Sequence, residues 1–200
     1  MLAELAALAV LTGAPAAHAG IAYQAETACD RLAGHPSDPD KVGAGVSRDA
    51  IMKAGVEAAI AACRDAAKDG SARANYQLAR VLTYAGRLEE ANAPMVAAVS
   101  QGYTQALFVR GLTLINGQAG RRDACRGGAL MHRSAVQGRT AGQAAYVHYA
   151  LLGTFQGCSD APVRKDELKG FVDAARKAEP GDYFRSLLYD QLSGQIDKLP

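Results

Sequence analysis

Apolar and small side chains recur at helical spacing from residue 47 onward. Between Ile51 and Ala67 each such position is followed by another three or four residues later, and the positions are 51, 52, 55, 56, 59, 60, 63, 66 and 67. This period places them on one face of an α-helix. Ser47 can accept hydrogen bonds from the first-turn N–H groups, and Gly70 can take the left-handed conformation that ends a helix. The pattern predicts one helix over residues 48–69.

A segment centred on such a glycine occurs three times. The chain reads AAKDGSARA at 66–74, AVSQGYTQA at 98–106 and SAVQGRTAG at 134–142, so the capping glycines Gly70, Gly102 and Gly138 are 32 and 36 residues apart. Each glycine lies between two helical patterns, and so short a connection makes the two helices antiparallel neighbours. The small residue four positions later lets the second helix approach the first. The helices predicted in this way cover residues 73–86, 87–102, 103–117, 122–138 and 140–157.

Helix pairs that repeat at this period are typical of an α-solenoid, because one pair is too small to bury its own apolar face and must stack on the next. We therefore expect an all-α protein of about 3–4 repeats, with a repeat core over about residues 48–178. Pro94 should kink the helix over 87–102 or lie where its first turn begins.

Further helices are predicted on both sides of the repeats. Residues 21–33 form a short helix that can pair with the 48–69 helix. Asp160 with Pro162 opens a helix to about Ala178, and Asp182 opens one over residues 183–196. The last helix carries an apolar stripe expected to close the end of the solenoid, within a cap of about residues 180–200: Phe184, Leu187, Leu188, Leu192 and Ile196.

The segment AGRLEEANAPMVAAVSQGYTQALFVRG, residues 85–111, resembles a Sel1-like repeat, one of the tetratricopeptide-like (TPR-like) helical repeats. The positions that carry the resemblance are Ala91 after an acidic pair, followed by Met95, Ala98, Gly102, Ala106 and Gly111. LARVLTYAG at 78–86 and YALLGTFQG at 149–157 resemble the first helix of the same repeat. The resemblance covers roughly residues 55–157 and implies a right-handed solenoid of stacked antiparallel helix hairpins, of the exported, cysteine-containing type.

The first nineteen residues match a signal peptide. A short apolar stretch is followed by Gly13 and Pro15 and by the small-x-small triplet Ala17-His18-Ala19, which predicts cleavage after Ala19. The alternative is an Ala-rich first helix of the domain. Export predicts a periplasmic or secreted protein whose single helical-repeat domain covers residues 20–200.

Export also accounts for the four cysteines, because an oxidising compartment lets them pair. Four cysteines allow three pairings. Cys29 and Cys63 are 34 residues apart and Cys125 and Cys158 are 33 apart, and each pair spans one turn-rich segment. This symmetry predicts the disulfides Cys29–Cys63 and Cys125–Cys158.

Charge and motifs argue against several classes of function. The net charge is +2 without a run of Lys or Arg, which does not favour nucleic-acid binding. Cys125 and His132 are seven residues apart, too far for a nucleophile and its base, and no zinc motif is present. Asp38 and Asp40 favour an Asx turn over a calcium site. We expect no catalytic residue, no metal and no cofactor.

The remaining hypothesis is an interaction module that binds a peptide or another protein on its curved inner surface. We expect a monomer without stable membrane insertion. The groove candidates lie on the first helix of each pair: Asn75, Tyr76, Arg80, Tyr84, Arg110, Asn116, Tyr146, His148 and Tyr149. Tyr76, Tyr84 and Tyr146 can equally belong to the core. Similar repeats occur beside caspase-like proteases and cell-wall enzymes of the bacterial envelope, so the resemblance implies as alternative an accessory or regulatory subunit of such an enzyme.

Overall fold

The computed structural model describes residues 25–118, 120 and 122–200, and within these residues it contains ten α-helices and no β-strand. In chain order they are α1 (Ala28–Ala33), α2 (Arg48–Ala54), α3 (Val56–Ala67), α4 (Ala72–Tyr84), α5 (Leu88–Ser100), α6 (Thr104–Asn116), α7 (Ala124–Val136), α8 (Thr140–Leu151), α9 (Lys165–Ala178) and α10 (Tyr183–Ile196). None of these helices is both long and apolar enough to cross a membrane.

Consecutive helices pack on one another along the chain. α4 packs on α5, α6 on α7 and α8 on α9 as hairpins, while the contacts of α5 with α6 and of α7 with α8 join the hairpins into a stack. α1 packs on α3 and α4 at one end, and α10 packs on α9 and α8 at the other. The predicted all-α solenoid is confirmed.

The three capping glycines end helices as the sequence indicates. Gly70, Gly102 and Gly138 have φ of 75°, 75° and 84°. Each donates its N–H at 3.0 Å to the carbonyl three residues earlier. A side chain with a Cβ rarely adopts this φ, which explains why glycine recurs here. The residue after each glycine is the N-cap of the next helix, namely Ser71, Tyr103 and Arg139.

Four predicted helix boundaries are wrong. The helix predicted over 21–33 begins only at Ala28, because Thr27 caps α1 by accepting a hydrogen bond from the Asp30 N–H. The helix expected over 48–69 is interrupted at Gly55, whose φ of 98° and ψ of 106° lie outside the helical region. α8 ends at Leu151 rather than at 157, because the following turn returns Phe155 to the core. α9 begins at Lys165 rather than near Asp160, after a stretch in which Ala161 is buried.

Only two of the five apolar residues predicted to close the C-terminal end of the solenoid are buried. Asp182 caps α10 as expected, accepting a hydrogen bond from the Arg185 N–H at 3.0 Å. Leu192 and Ile196 lie in the core together with Tyr189. The other three residues of the stripe are exposed, because the buried positions of α10 begin at Tyr189: Phe184, Leu187 and Leu188.

Both disulfides of the structure join the cysteines that the symmetry pairs. Cys29–Cys63 ties α1 to α3, and Cys125–Cys158 ties the second residue of α7 to the turn after α8. The predicted signal peptide lies outside the described residues, and its cleavage after Ala19 stays a prediction.

Candidate binding sites

An open groove of about 720 Å³ lies between the α4–α5 hairpin and the second half of α6. This volume is within the range of pockets that hold ligands. We call it the hairpin groove, and its lining residues are Thr83, Leu88, Glu89, Ala91, Asn92, Met95, Val109, Arg110, Thr113, Gln118 and Gly120.

The hairpin groove combines an apolar floor with polar walls. Met95 and Val109 are half-buried and pack on the small core cluster of Tyr76, Ala98 and Ala106. Leu88 adds an apolar side chain that is 61% exposed to the same lining. The polar walls come from Glu89, Asn92, Arg110, Thr113 and Gln118. Such a surface can bury apolar side chains and bond the backbone of an extended segment.

Two candidates on α4 are buried instead of lining a groove. Arg80 donates to the carbonyl oxygens of Ala33, Gly34 and Val46 at 2.7 Å, 3.0 Å and 2.7 Å. These bonds hold the segment between α1 and α2 against α4. The segment covers the face of α4 that the sequence pattern predicts to be open to a ligand. Tyr76 is 2% exposed and belongs to the core.

Asn75 and Tyr84, the other candidates on α4, are half-buried. Asn75 donates from Nδ2 to the Ser71 carbonyl at 3.0 Å. The Tyr84 hydroxyl accepts from Arg80 Nε at 2.9 Å. Both side chains therefore bond within α4 or at its start.

The candidates on α6 and α8 are divided between surface and core. Asn116 and His148 are exposed, and the Tyr149 hydroxyl donates to Asn116 Oδ1 at 3.1 Å. Tyr146 is fully buried and donates to the Pro162 carbonyl at 2.6 Å, so it cannot line a groove. Arg110 is the single candidate that lines the hairpin groove.

A second cavity, of about 490 Å³, lies where the loop after α1 meets the start of α8. We call it the Arg139 cavity, and it is lined by His35, Ser37, Pro39, Gln105, Phe108, Val109, Gly138, Arg139, Thr140, Ala141, Glu179 and Arg185. The sequence analysis did not select Arg139 or Gln105. The available signal was that Arg139 stands directly after a capping glycine, at the same repeat position as Tyr103.

The loop after α1 is held in place by Asp38, whose side chain is fully buried. Its Oδ2 accepts from the Tyr103 hydroxyl at 2.7 Å and its Oδ1 from the Asp40 N–H at 3.0 Å, the second bond forming the expected Asx turn. Burial raises the pKa of Asp38, although both hydrogen bonds oppose the shift. Burial, together with the nearby Asp38 carboxylate, raises the pKa of Tyr103, which therefore stays a neutral donor.

Cys125 cannot act as a nucleophile in this structure because its sulfur is bonded to Cys158. His132 instead contacts Glu167, with Nε2 3.0 Å from Oε1. Hydrogen bonds from His132 and Arg164 lower the pKa of Glu167 against the opposing effect of burial. The contact ties α7 to α9 and is structural.

Comparison with solved structures places this fold among Sel1-like repeats. The chain is similar to a Sel1 repeat protein from Oxalobacter formigenes, at 20% identity and a TM-score of 0.55, over 69% of this chain and 39% of that one. It is also similar to a protective antigen with an SLR fold from uropathogenic Escherichia coli strains, at 20% identity and a TM-score of 0.50, over 84% of this chain and 37% of that one. The chain thus spans less than two-fifths of either protein.

Two further comparisons found no relative. No protein-family model matches the chain, and no curated protein sequence matches it. The similarity to the two solved structures is therefore a similarity of fold.

Proposed function

We propose that this chain is a non-enzymatic module of the cell envelope that binds an extended segment of another protein in the hairpin groove. The observation that carries the proposal is the groove itself, in which Met95 and Val109 form an apolar floor between polar side chains. Helix-repeat surfaces of this kind bind segments by burying a few side chains and bonding the backbone between them.

The exposed rim of the groove supports the same function. Leu88 lines the groove from α5 and is 61% exposed, so its side chain is available to a bound segment. Arg110 and Glu89 stand in the same groove with opposite charges, which favours a partner segment with both polar and apolar side chains. A mixed surface of this type fixes the orientation of a bound peptide better than an apolar surface alone.

The two disulfides support the envelope location. Cys29–Cys63 and Cys125–Cys158 close loops at both ends of the repeats, and such bonds persist in oxidising compartments. A reducing cytoplasm would leave both pairs as thiols. Mass spectrometry of non-reduced peptides from protein isolated from its native source tests this location directly.

A peptide-library selection tests the binding function. Random linear peptides displayed on phage are selected against the purified protein, and the enriched peptides are measured by fluorescence anisotropy against wild type and Asn92→Arg. Asn92 is exposed in the groove, so the variant should fold while its long charged side chain fills the site. We expect binding to weaken at least ten-fold, about 1.4 kcal/mol.

Leu188→Asp provides the matched control. Leu188 is 41% exposed on α10, far from the groove in the chain, so its replacement removes an exposed apolar side chain without touching the site. The enriched peptides should bind this variant as they bind wild type. Peptides that bind Asn92→Arg with unchanged affinity, or a selection that enriches nothing above background, would overturn the proposed function.

A further inference from the structure

The described residues include three buried arginines, and two of them bond acceptors through two or more of their nitrogens. Arg73 donates from Nε and Nη2 to both oxygens of Asp30, at 2.8 Å and 3.1 Å. Arg80 donates to three backbone carbonyls and to Tyr84. Arg139 is 6% exposed, yet within the described residues it has one partner, the Gln105 oxygen that accepts from Nε at 2.6 Å.

Arg139 lines the cavity, and its other two nitrogens have no hydrogen-bond acceptor among the described residues. The guanidinium plane lies on the Phe108 ring, with Cζ 4.2 Å from the ring centre. Stacking of this kind occupies the face of the guanidinium and leaves the edge between Nη1 and Nη2 free to donate. Burial lowers the pKa of Arg139 against the opposing effect of the Asp38 and Glu179 charges. A guanidinium on the wall of a cavity can bond a ligand through the N–H donors that the protein leaves without an acceptor.

The preceding repeat shows which partner Arg139 lacks. We call each capping glycine with the residue after it a joint. At the joint of Gly102, Tyr103 contacts the ring of Tyr76, with the ring centres 5.6 Å apart. Arg139, directly after Gly138, contacts Phe108 in the same way, and both aromatic residues stand six positions after a capping glycine.

The polar ends of these two side chains differ in their partners. Tyr103 donates to the carboxylate of Asp38, which the loop after α1 supplies. The described chain supplies no carboxylate to the free edge of Arg139. At Gly138 the chain therefore supplies a side-chain donor, Arg139, but no carboxylate equivalent to the one that Tyr103 bonds after Gly102.

The N-terminus of α8 adds donors to the same cavity. Arg139 is the N-cap of this twelve-residue helix and gives it no side-chain cap. The first-turn N–H groups of Thr140 and Ala141 have no partner within the helix, and both residues line the cavity. Helix N-termini favour negatively charged ligands.

The carboxylates near Arg139 are engaged elsewhere. Glu179 accepts from Arg185 and, at 2.6 Å, from the Tyr189 hydroxyl, so both of its oxygens are occupied. Asp38 also has hydrogen bonds to both oxygens. The negative charges of these two groups repel a phosphate dianion more strongly than a monoanion, which favours a monoanion in the cavity.

We propose that the Arg139 cavity binds a carboxylate, which lies on the free edge of Arg139 and at the N-terminus of α8. Two parallel N–H donors match the two oxygens of a carboxylate. Phe108, Val109, Ala141 and Pro39 supply apolar wall for the rest of the ligand. A free organic acid and the C-terminus of a peptide share this chemistry.

The test is an NMR titration of the ¹⁵N-labelled protein, with the Arg139 side chain and the Thr140 and Ala141 amides as reporters. The probes are N-acetyl-L-phenylalanine, its primary amide, and an N-acetylated hexapeptide that ends in phenylalanine with a free carboxyl group. We expect the acid to shift all three reporters saturably and the amide, which has the same shape without the charge, to shift none. Binding of the acid alone indicates a free organic acid, and equal or stronger binding of the hexapeptide indicates a chain terminus.

Two variants complete the experiment. Arg139→Gln should weaken binding of the acid at least ten-fold, while Arg126→Gln, an exposed arginine on α7, should leave it unchanged. The acid-to-amide contrast on wild type remains decisive if Arg139→Gln does not fold. The proposal would be overturned if acid and amide gave equal shifts, or if no probe gave a saturable shift up to about 10 mM. It would also be overturned if inorganic phosphate displaced the acid at a phosphate concentration below that of the acid.

Discussion

Gly111 and Gly127 lie against each other where α6 packs on α7. A Cβ placed on Gly111 would be 2.8 Å from the carbonyl oxygen of Gly127, and one placed on Gly127 would be 2.8 Å from the carbonyl oxygen of Gly111. The two backbones therefore approach closer than side chains allow. This contact accounts for two glycines inside helices, where glycine costs up to about 1 kcal/mol relative to alanine.

Gly111→Ala should reduce the free energy of unfolding by about 1 to 3 kcal/mol, because the added methyl group meets backbone atoms that cannot move independently. Denaturant unfolding followed by circular dichroism measures the change. Gly194→Ala is the matched control, since Gly194 lies inside α10 and an added methyl group there would have nothing within 4 Å. The control should be stabilised by up to about 1 kcal/mol. Equal stability of the two variants would contradict the close approach.

Removal of the Cys29–Cys63 disulfide should reduce the free energy of unfolding by about 3 to 4 kcal/mol, the value for a loop of 34 residues. The double variant Cys29→Ala with Cys63→Ala avoids a free thiol, and denaturant unfolding without reductant measures the loss. The Cys125–Cys158 disulfide closes a loop of 33 residues, so the corresponding double variant should lose a similar amount.

Reductant separates the disulfide effect from the effect of losing two side chains. Fully reduced wild type should be less stable than either double variant measured without reductant, because reduction breaks both disulfides while each double variant keeps one. A four-alanine variant should be insensitive to reductant. Wild-type stability that is unchanged by full reduction would contradict the prediction.

The helices could be predicted from local signals, since both periodicity and capping act within one turn. The structure places α4 at Ala72–Tyr84 and α6 at Thr104–Asn116, each within two residues of the predicted ranges. Pro94 lies inside α5 rather than at its first turn. The break at Gly55 could not be predicted, because glycine is compatible with both a helix interior and a helix end.

The binding surface depends on contacts between distant residues and was harder to predict. Arg80 has the periodicity of a surface position on α4, and it is buried by a distant segment of the chain, which supplies the carbonyls of Ala33, Gly34 and Val46. Arg110 does line the hairpin groove. Its position within α6 is enough to place it on the face of the helix that lines the groove, so it could be predicted from local sequence. Arg139 was missed because its unusual state, burial with one partner, is a property of the packed repeats.

His35 should make the protein less stable as the pH falls from about 6.5 to about 4. Burial, followed by the positive charges of Arg80, Arg139 and Lys41, lowers the pKa of His35 from 6.5 to about 4. The unfolded chain therefore binds a proton within this window before the folded chain does, so protonation favours unfolding. The loss should be about 1 to 2 kcal/mol after solvent screening, measured as the free energy of unfolding against pH.

His35→Asn isolates this effect from other titrating groups. The His35 Nδ1 accepts a hydrogen bond from the Ser37 N–H at 3.0 Å, and an asparagine oxygen can accept the same bond. The variant should lose less stability than wild type between pH 6.5 and pH 4, and the two curves should run parallel above that window. If the two curves of unfolding free energy against pH were parallel over the whole range, His35 would have the same pKa in the folded and unfolded protein, and the prediction would be wrong.

Arg139→Met should raise the free energy of unfolding in the absence of ligand by about 1 kcal/mol, which corresponds to roughly 2 to 4 °C in melting temperature. Methionine keeps an apolar side chain on Phe108 and removes a buried charge whose terminal nitrogens have no acceptor in the described residues. Residues kept for ligand binding commonly cost stability in this way. Differential scanning calorimetry measures the shift.

Arg73→Met is the opposing control for the same chemical change. Arg73 bonds both oxygens of Asp30, whose pKa stays below its ordinary value because hydrogen bonds from Thr27, Gln77 and Arg73 outweigh the effect of burial. Its removal leaves a buried carboxylate without its charge partner and should cost about 3 to 5 kcal/mol. Opposite signs for the two variants would separate an arginine that stabilises the fold from one that binds an anion. A loss at Arg139 as large as that at Arg73 would show that Arg139 is paired in solution, and the cavity would then have no free donor to offer a ligand.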